Sequence, residues 1–217
     1  MHIKLSTIFA LAVASVTLSA GAQTIQGNAQ AGADKAAMCL GCHSIPGYQA
    51  SFPEVYKVPM ISGQSDRYIA AALEAYKKAD RRHPTMRGIA DSLSEQDIAD
   101  VAAFYAAQGK QGAAKAHNPS TEVAALIQKG ACFSCHGEGF AKPIDPAYPK
   151  VAGQHPDYVY AALKSYQHDA GKGMVGRNNG VMGGIAKQFT LKELKLLAGY
   201  IGSLDGELHT VPESRFR

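Results

Sequence analysis

The chain has 217 residues, of which 22 are lysine or arginine and 18 are aspartate or glutamate. This small excess of positive charge does not indicate a nucleic-acid-binding protein, which would carry a strongly basic surface. The length fits one large domain or two small ones.

The first 22 residues have the pattern of a secretory leader. Lys4 precedes an apolar run from Leu5 to about Leu18, and the small residues Ala20 and Ala22 follow. The run is shorter than the roughly 20 residues that a membrane-spanning helix needs, which favours cleavage over anchoring. We therefore predict residues 1–22 to be a cleaved signal peptide and the mature chain to be a soluble protein of the periplasm.

A five-residue sequence then occurs twice and contains all four cysteines. It reads CLGCH from Cys39 to His43 and CFSCH from Cys132 to His136. An amphipathic helix is predicted before each copy, beginning at Ala29 in the first half and at Thr121 in the second. Both halves of the chain therefore start with the same local arrangement.

The agreement between the halves continues beyond this sequence. GQSDRYIAAALEAY begins at Gly63 and GQHPDYVYAALKSY begins at Gly153, and apolar spacing predicts a helix in each. The segments that begin at Met86 and Met182 then align without a gap over twenty residues. The pattern indicates a duplicated domain, since solenoids need three or more shorter repeats.

The last helix of each half has the clearest sequence signals. Ser94 with Asp97, and Thr190 with Glu193, have the spacing of a capping box at a helix start. Apolar residues then recur at helical spacing: Ile98, Val101, Ala102 and Tyr105 in the first half, and Leu194, Leu197, Ala198 and Ile201 in the second.

These patterns predict an all-α fold of two tandem domains. We place domain 1 at residues 23–108, a linker rich in glycine, alanine and polar residues at 109–120, and domain 2 at 121–217. No segment shows the alternation of a β-strand. Each domain has long loops, mostly alanine among its apolar residues and no tryptophan, so its core lacks bulk.

Two cysteines three residues apart with a histidine directly after them are typical of covalent attachment of c-type haem. The thiols lie one helical turn apart and can reach the two vinyl groups of one porphyrin. The adjacent histidine can then bind the iron. We predict two covalently bound haem c groups, one on Cys39 and Cys42 with His43, the other on Cys132 and Cys135 with His136, each filling the core of its domain.

Three other uses of the cysteines are less consistent with this pattern. Structural disulfides would leave the repeated histidines unexplained. A zinc site usually joins two cysteine pairs that lie 15 to 20 residues apart, whereas these pairs lie in separate repeats. A thioredoxin-like dithiol needs a βαβ setting, which a helical chain does not provide.

The sixth iron ligand is predicted from the internal repeat. Met86 and Met182 align with each other, and each precedes the final capped helix of its domain. Met174 lies in an insertion before Met182 and is the main alternative for the second haem. His83 lies three residues before Met86 and is an alternative for the first.

Two further sets of residues could support the haem groups. The second ring nitrogen of each proximal histidine needs an acceptor, and the sequence does not choose among carbonyls of the proline-rich loops: Pro53, Pro59, Pro143, Pro146 and Pro149. Haem propionates could contact arginines near the methionines, which are Arg81, Arg82, Arg87 and Arg177.

Each half of the chain contains C-x-x-C-H, then P-x-x-x-G-Q, then M-x-G-I-A, and in this it resembles the di-haem cytochromes c of the c-four type. The middle motif reads PMISGQ from Pro59 and PKVAGQ from Pro149. The resemblance covers nearly the whole mature chain. It implies two class-I cytochrome c domains that face each other across a pseudo-twofold axis. It also implies His43–Met86 and His136–Met182 ligation.

An iron bound by both histidine and methionine has no open site for a substrate. We therefore expect a one-electron carrier and not an enzyme. Its donor would be a dehydrogenase or cytochrome complex, its acceptor a terminal oxidase or reductase, with possible peripheral membrane association. The alternatives are an electron-transfer subunit of a dehydrogenase complex, and a di-haem peroxidase or sulfur oxidoreductase with one open iron.

Overall fold

The computed structural model of the protein describes residues 25–110, 117–168 and 173–213. The predicted signal peptide lies outside the described residues, as does half of the predicted linker. Residues 25–110 are called the N-terminal unit below, and the described residues from 117 onward the C-terminal unit.

Ten α-helices in the described residues form two series of five. The N-terminal series is α1 (Ala29–Lys35), α2 (Ala37–His43), α3 (Asp66–Lys77), α4 (Pro84–Asp91) and α5 (Glu95–Ala106). The C-terminal series is α6 (Thr121–Lys129), α7 (Phe133–His136), α8 (Pro156–Ser165), α9 (Gly180–Ala186) and α10 (Leu191–Ser203). The predicted helical fold and its duplication are confirmed.

Four two-residue strands, which the sequence analysis did not predict, pair across loops. β1 (Gln49–Ala50) pairs antiparallel with β2 (Tyr56–Lys57) inside the N-terminal unit. β3 (Arg81–Arg82) pairs antiparallel with β4 (Gly176–Arg177) and so joins the two units. Strands this short show no alternation that a sequence pattern could reveal.

The last helix of each unit begins as predicted. The Ser94 side chain accepts from the backbone N–H of Asp97, whose carboxylate accepts from the backbone N–H of Ser94. Thr190 and Glu193 make the same pair of bonds at the start of α10. The eight apolar residues predicted for the inner faces of α5 and α10 are all buried.

In the N-terminal unit, α1 crosses α5 at very short range. A side-chain carbon on Gly32 would overlap the backbone carbonyl of Asp100, so only glycine permits this approach. The Asp100 carboxylate is buried and accepts from the backbone N–H of Asn28 and the Lys35 ammonium, both at 2.7 Å. These contacts fix the first helix against the last and leave the opposite side of α5 to face the interior.

Replacing Leu194 with alanine should destabilise the C-terminal unit. Leu194 is fully buried in α10, and truncating such a leucine costs about 2–5 kcal/mol of unfolding free energy. Leu191→Ala in the same helix is the matched control, because Leu191 is 50% exposed and its loss should change stability by less than about 0.5 kcal/mol. Denaturant unfolding of the haem-loaded protein measures both; equal losses would contradict the assigned core.

Several polar contacts besides β3 and β4 hold the units together. Lys164 Nζ lies 2.6 Å from a Glu54 carboxylate oxygen, and the backbone N–H of Lys57 donates to Asp157 at 2.9 Å. The segment after α10 returns to the N-terminal unit, where the backbone N–H of His209 donates to the Ser62 carbonyl at 3.2 Å. Hydrogen bonds and ion pairs therefore join the two units along their shared boundary.

None of the helices in the described part of the chain is long and apolar enough to span a bilayer.

Candidate haem sites

One cavity of about 810 Å³ is lined by residues of both units. All four cysteines line it, together with His43 and His136. Most of the remaining lining is apolar and comes from the loops between the helices and from the inner faces of α3, α5, α8 and α10. A cavity of this size and character is suited to a large apolar ligand.

His43 is held by the loop that follows it. It is the last residue of α2, and its Nδ1 lies 2.8 Å from the carbonyl oxygen of Pro59. Burial lowers the pKa of His43, and the hydrogen bond to Pro59 only partly opposes this. The ring is therefore neutral at neutral pH with its proton on Nδ1, which leaves the lone pair of Nε2 to bind a metal ion.

His136 has the equivalent position in the C-terminal unit. It ends α7, and its Nδ1 lies 3.1 Å from the carbonyl oxygen of Pro149. Burial lowers the pKa of His136, and the hydrogen bond to Pro149 opposes this effect only in part. Among the five candidate prolines, the structure thus brings Pro59 and Pro149 to the histidines, and these two occupy the same position in the repeat.

The cysteines are free thiols that are partly buried against the cavity. Burial raises the pKa of Cys39 and of Cys132, so neither thiol favours the thiolate form that a metal ligand requires. No three metal-ligating side chains come together in the described residues. The surroundings suit uncharged sulfur, as in a thioether bond to a porphyrin, better than a zinc thiolate.

Met86 and Met182 line the cavity from the first turns of α4 and α9. The backbone N–H of Met86 donates to His83 Nδ1 at 3.3 Å, and that of Met182 donates to Asn179 Oδ1 at 2.9 Å. His83 is therefore the N-cap of its helix, a position that the non-ligating Asn179 fills in the other unit. Met174 is 55% exposed and is not among the residues that line the cavity.

Two arginines lie opposite each other where β3 pairs with β4. Arg81 and Arg177 are register partners in this pair, and both line the cavity. Their Nη2 atoms donate to the hydroxyl of Tyr158 at 3.1 and 3.0 Å. Arg82 and Arg87 are not among the lining residues, and Arg87 instead pairs with Asp91 at the surface.

This pair of arginines has an excess of positive charge. No carboxylate lies within ion-pair distance of either guanidinium in the described residues, and Arg81 Nε is buried without a partner. Burial would raise the pKa of Tyr158, but Arg177 and Arg81 outweigh it and lower the pKa to about 8. Like charges directly opposite in a strand pair are destabilising, so an anion bound beside them would be stabilising.

The residues present fit a pair of c-type haem groups. The apolar lining suits two porphyrin bodies, the cysteines and histidines lie at its wall, and the arginines meet the need for a counter-charge to the propionates. The sequence analysis missed Tyr68 and Tyr158, whose hydroxyls accept hydrogen bonds from these arginines. The sequence signal that marks these two tyrosines is their shared offset, five residues after the glycine of each repeated Gly-Gln.

Comparisons with known proteins agree with this arrangement. Residues 29–107 and 120–205 each match the family Cytochrome c. The chain is 29% identical over 195 residues to cytochrome c4 of Azotobacter vinelandii, which covers 82% of this chain and 90% of that protein. The structure of cytochrome c4 from Acidithiobacillus ferrooxidans superposes with a TM-score of 0.60 at 28% identity, covering 77% of this chain and 99% of that one.

A further relative has a name that describes a redox partnership. The thiosulfate dehydrogenase electron acceptor of Stutzerimonas stutzeri is 28% identical over 206 residues, covering 88% of this chain and 92% of that protein. Its similarity, like that of the others, extends across both units.

Proposed function

The chain belongs to the cytochrome c family as a di-haem protein of the cytochrome c4 group, and from this premise we propose that it carries single electrons between respiratory redox proteins in the periplasm. The observation that supports this most is the shared lining of one cavity. Both Cys-x-x-Cys-His sequences meet there with Met86 and Met182, the two methionines that align in the repeat.

In this proposal the four cysteines hold two haem c groups through thioether bonds. His43 with Met86 binds one iron, and His136 with Met182 binds the other. Each haem, when bound, supplies an iron that changes by one electron between its ferrous and ferric states. The signal-peptide pattern of residues 1–22 supports export to the periplasm.

The side chains of the protein set the properties of these sites. The hydrogen bonds of His43 and His136 to carbonyl oxygens fix their rings and increase their basicity toward a metal ion. Met86 and Met182 would supply thioether ligands that exclude external molecules from the irons, and thioether ligation favours a higher reduction potential. Arg81 and Arg177 balance the negative charge of the propionates, and the apolar wall excludes water.

Authentic protein from a periplasmic extract should contain two haem c groups per chain. A pyridine haemochrome assay counts them, and a weak near-infrared band in the oxidised protein reports methionine ligation. Because both irons are six-coordinate in this proposal, the reduced protein should not bind carbon monoxide at neutral pH. Binding at either haem of the native protein would contradict the carrier function and support a peroxidase or a sulfur oxidoreductase.

A second function is favoured by the similarity to a thiosulfate dehydrogenase electron acceptor. The chain would then accept electrons directly from a partner dehydrogenase and travel with it. Affinity purification of the tagged full chain from native periplasm tests this. Stoichiometric recovery of a dehydrogenase that reduces the cytochrome supports the subunit, and recovery of the cytochrome alone supports a free carrier.

A further inference from the structure

Two buried glutamines reach across the boundary between the units. Gln154 Nε2 donates to the carbonyl oxygen of Met60 at 2.8 Å, and its Oε1 accepts from the backbone N–H of Met60 at 3.0 Å. Gln64 does the same to Lys150, at 2.8 and 3.0 Å. Both glutamines are only 5% exposed, so water does not compete for these bonds.

The peptide groups that they bind are those that hold the proximal histidines. The carbonyl of the Pro59–Met60 peptide lies 2.8 Å from His43 Nδ1, and the N–H of the same peptide donates to Gln154. In the other unit, the Pro149–Lys150 peptide links His136 to Gln64 in the same way. A chain of two hydrogen bonds therefore connects each histidine to a glutamine of the opposite unit.

We propose that Gln64 and Gln154 are positioning residues that tune the haem of the opposite unit. The glutamine side-chain oxygen accepts from the N–H of the peptide whose carbonyl binds the histidine. This hydrogen bond polarises the peptide and makes its carbonyl a stronger acceptor, because hydrogen bonds in a chain are cooperative. A stronger acceptor makes the histidine a more basic ligand. The inference rests on the proposed ligation by His43 and His136, and it adds that each unit sets part of the other's reduction potential.

The direction of the effect follows from ligand basicity. A more basic histidine favours the ferric state, so each glutamine lowers the reduction potential of the haem in the opposite unit. Removing a glutamine should therefore raise that potential. The effect crosses the boundary, since Gln154 follows the cysteines of the C-terminal unit in sequence but acts on His43.

Other contacts between the units do not reach these peptides and provide matched controls. Ser65 Oγ donates to the carbonyl of Pro146 at 2.5 Å, and Lys164 pairs with Glu54. Ser65 directly follows Gln64, so Ser65→Ala breaks a neighbouring contact between the units and leaves the Pro149–Lys150 peptide bound. Lys164→Gln breaks the ion pair with Glu54 across the same boundary and leaves the Pro59–Met60 peptide bound to Gln154.

The experiment is a redox titration followed by NMR on the full-length, haem-loaded protein. The methyl signals of Met86 and Met182 identify the two units. Gln154→Leu should raise the potential of the N-terminal haem more than that of the C-terminal haem, and Gln64→Leu should do the reverse. Ser65→Ala and Lys164→Gln should change neither potential selectively.

An equal shift of both haems, a shift confined to the glutamine's own unit, or no shift would overturn the inference. Should a leucine variant fail to fold, Gln154→Asn and Gln64→Asn shorten the amide by one carbon and should move the same potentials in the same direction. Slow exchange of the Met60 and Lys150 amide protons is expected in the unmodified protein, and fast exchange would overturn the inference. A failure of the proposed function would appear separately, as a missing haem or methionine ligand in the unmodified protein.

Discussion

Replacing Met86 with alanine is expected to let carbon monoxide bind the reduced haem of the N-terminal unit, while the other haem stays closed. Met86 lines the cavity from the first turn of α4, and the cap on its backbone N–H comes from His83 and does not involve its sulfur. Truncating the thioether should therefore remove the proposed iron ligand without breaking the cap. One carbon monoxide should bind per chain, as measured by the change in the visible spectrum.

The same substitution should lower the reduction potential of that haem. Axial ligands set haem potentials over a range of about 0.8 V, and methionine lies toward its upper end. A water or a hydroxide ion in place of sulfur should lower the potential by a substantial part of that range. Potentiometric titration should then show two well-separated one-electron steps.

Met182→Ala should give the corresponding result in the C-terminal unit, and Met174→Ala is its control. Met174 is 55% exposed and is not among the residues that line the cavity, so its loss should leave the spectrum and both potentials unchanged. If Met174→Ala instead opened an iron to carbon monoxide, the assignment of Met182 as the second distal ligand would be wrong. Carbon monoxide binding by neither Met86→Ala nor Met182→Ala would contradict both assignments.

Local features of the sequence predicted most of the helices because the chain contains two independent copies of each signal. The capping boxes at Ser94 and Thr190 mark the start of α5 and α10, and the apolar spacing after them gives the buried faces. Short-range hydrogen bonds and helical periodicity decide such features, so they are readable without knowledge of the neighbouring unit.

Contacts that depend on the path of a loop or on how the two units dock could not be predicted in this way. The choice of Pro59 and Pro149 as histidine partners depends on the path of a loop, and the opposed arginines of β3 and β4 depend on how two domains dock. The sequence shows Gln64 and Gln154 as equivalent residues of a repeated Gly-Gln. An alignment of the two halves identifies equivalent residues, but it does not show that each glutamine binds the opposite unit.

Replacing Cys39 and Cys42 together with alanine should leave the N-terminal unit without haem and largely unfolded. The cluster of fully buried apolar side chains described for this unit has nine members, of which three are alanines. The cavity of about 810 Å³ that both units line is too large for these few side chains to fill without the haem. Unfilled apolar cavities are destabilising in proportion to their volume, and whole domains are stable by only roughly 5–15 kcal/mol.

Water entering the cavity would reduce the cost of the void but would expose the apolar faces of α3 and α5, so it does not rescue the fold. Intact mass should show one haem per chain, and limited proteolysis should degrade the N-terminal unit while the C-terminal unit persists. Gly41→Ala is the matched control, because Gly41 lies between the two cysteines and a side-chain carbon there would meet no other atom within 4 Å. It should keep both haems and resist proteolysis. Protease resistance and native NMR dispersion in a cysteine variant without its haem would mean that the polypeptide alone fills this core, and that the haem is not the element around which the unit folds.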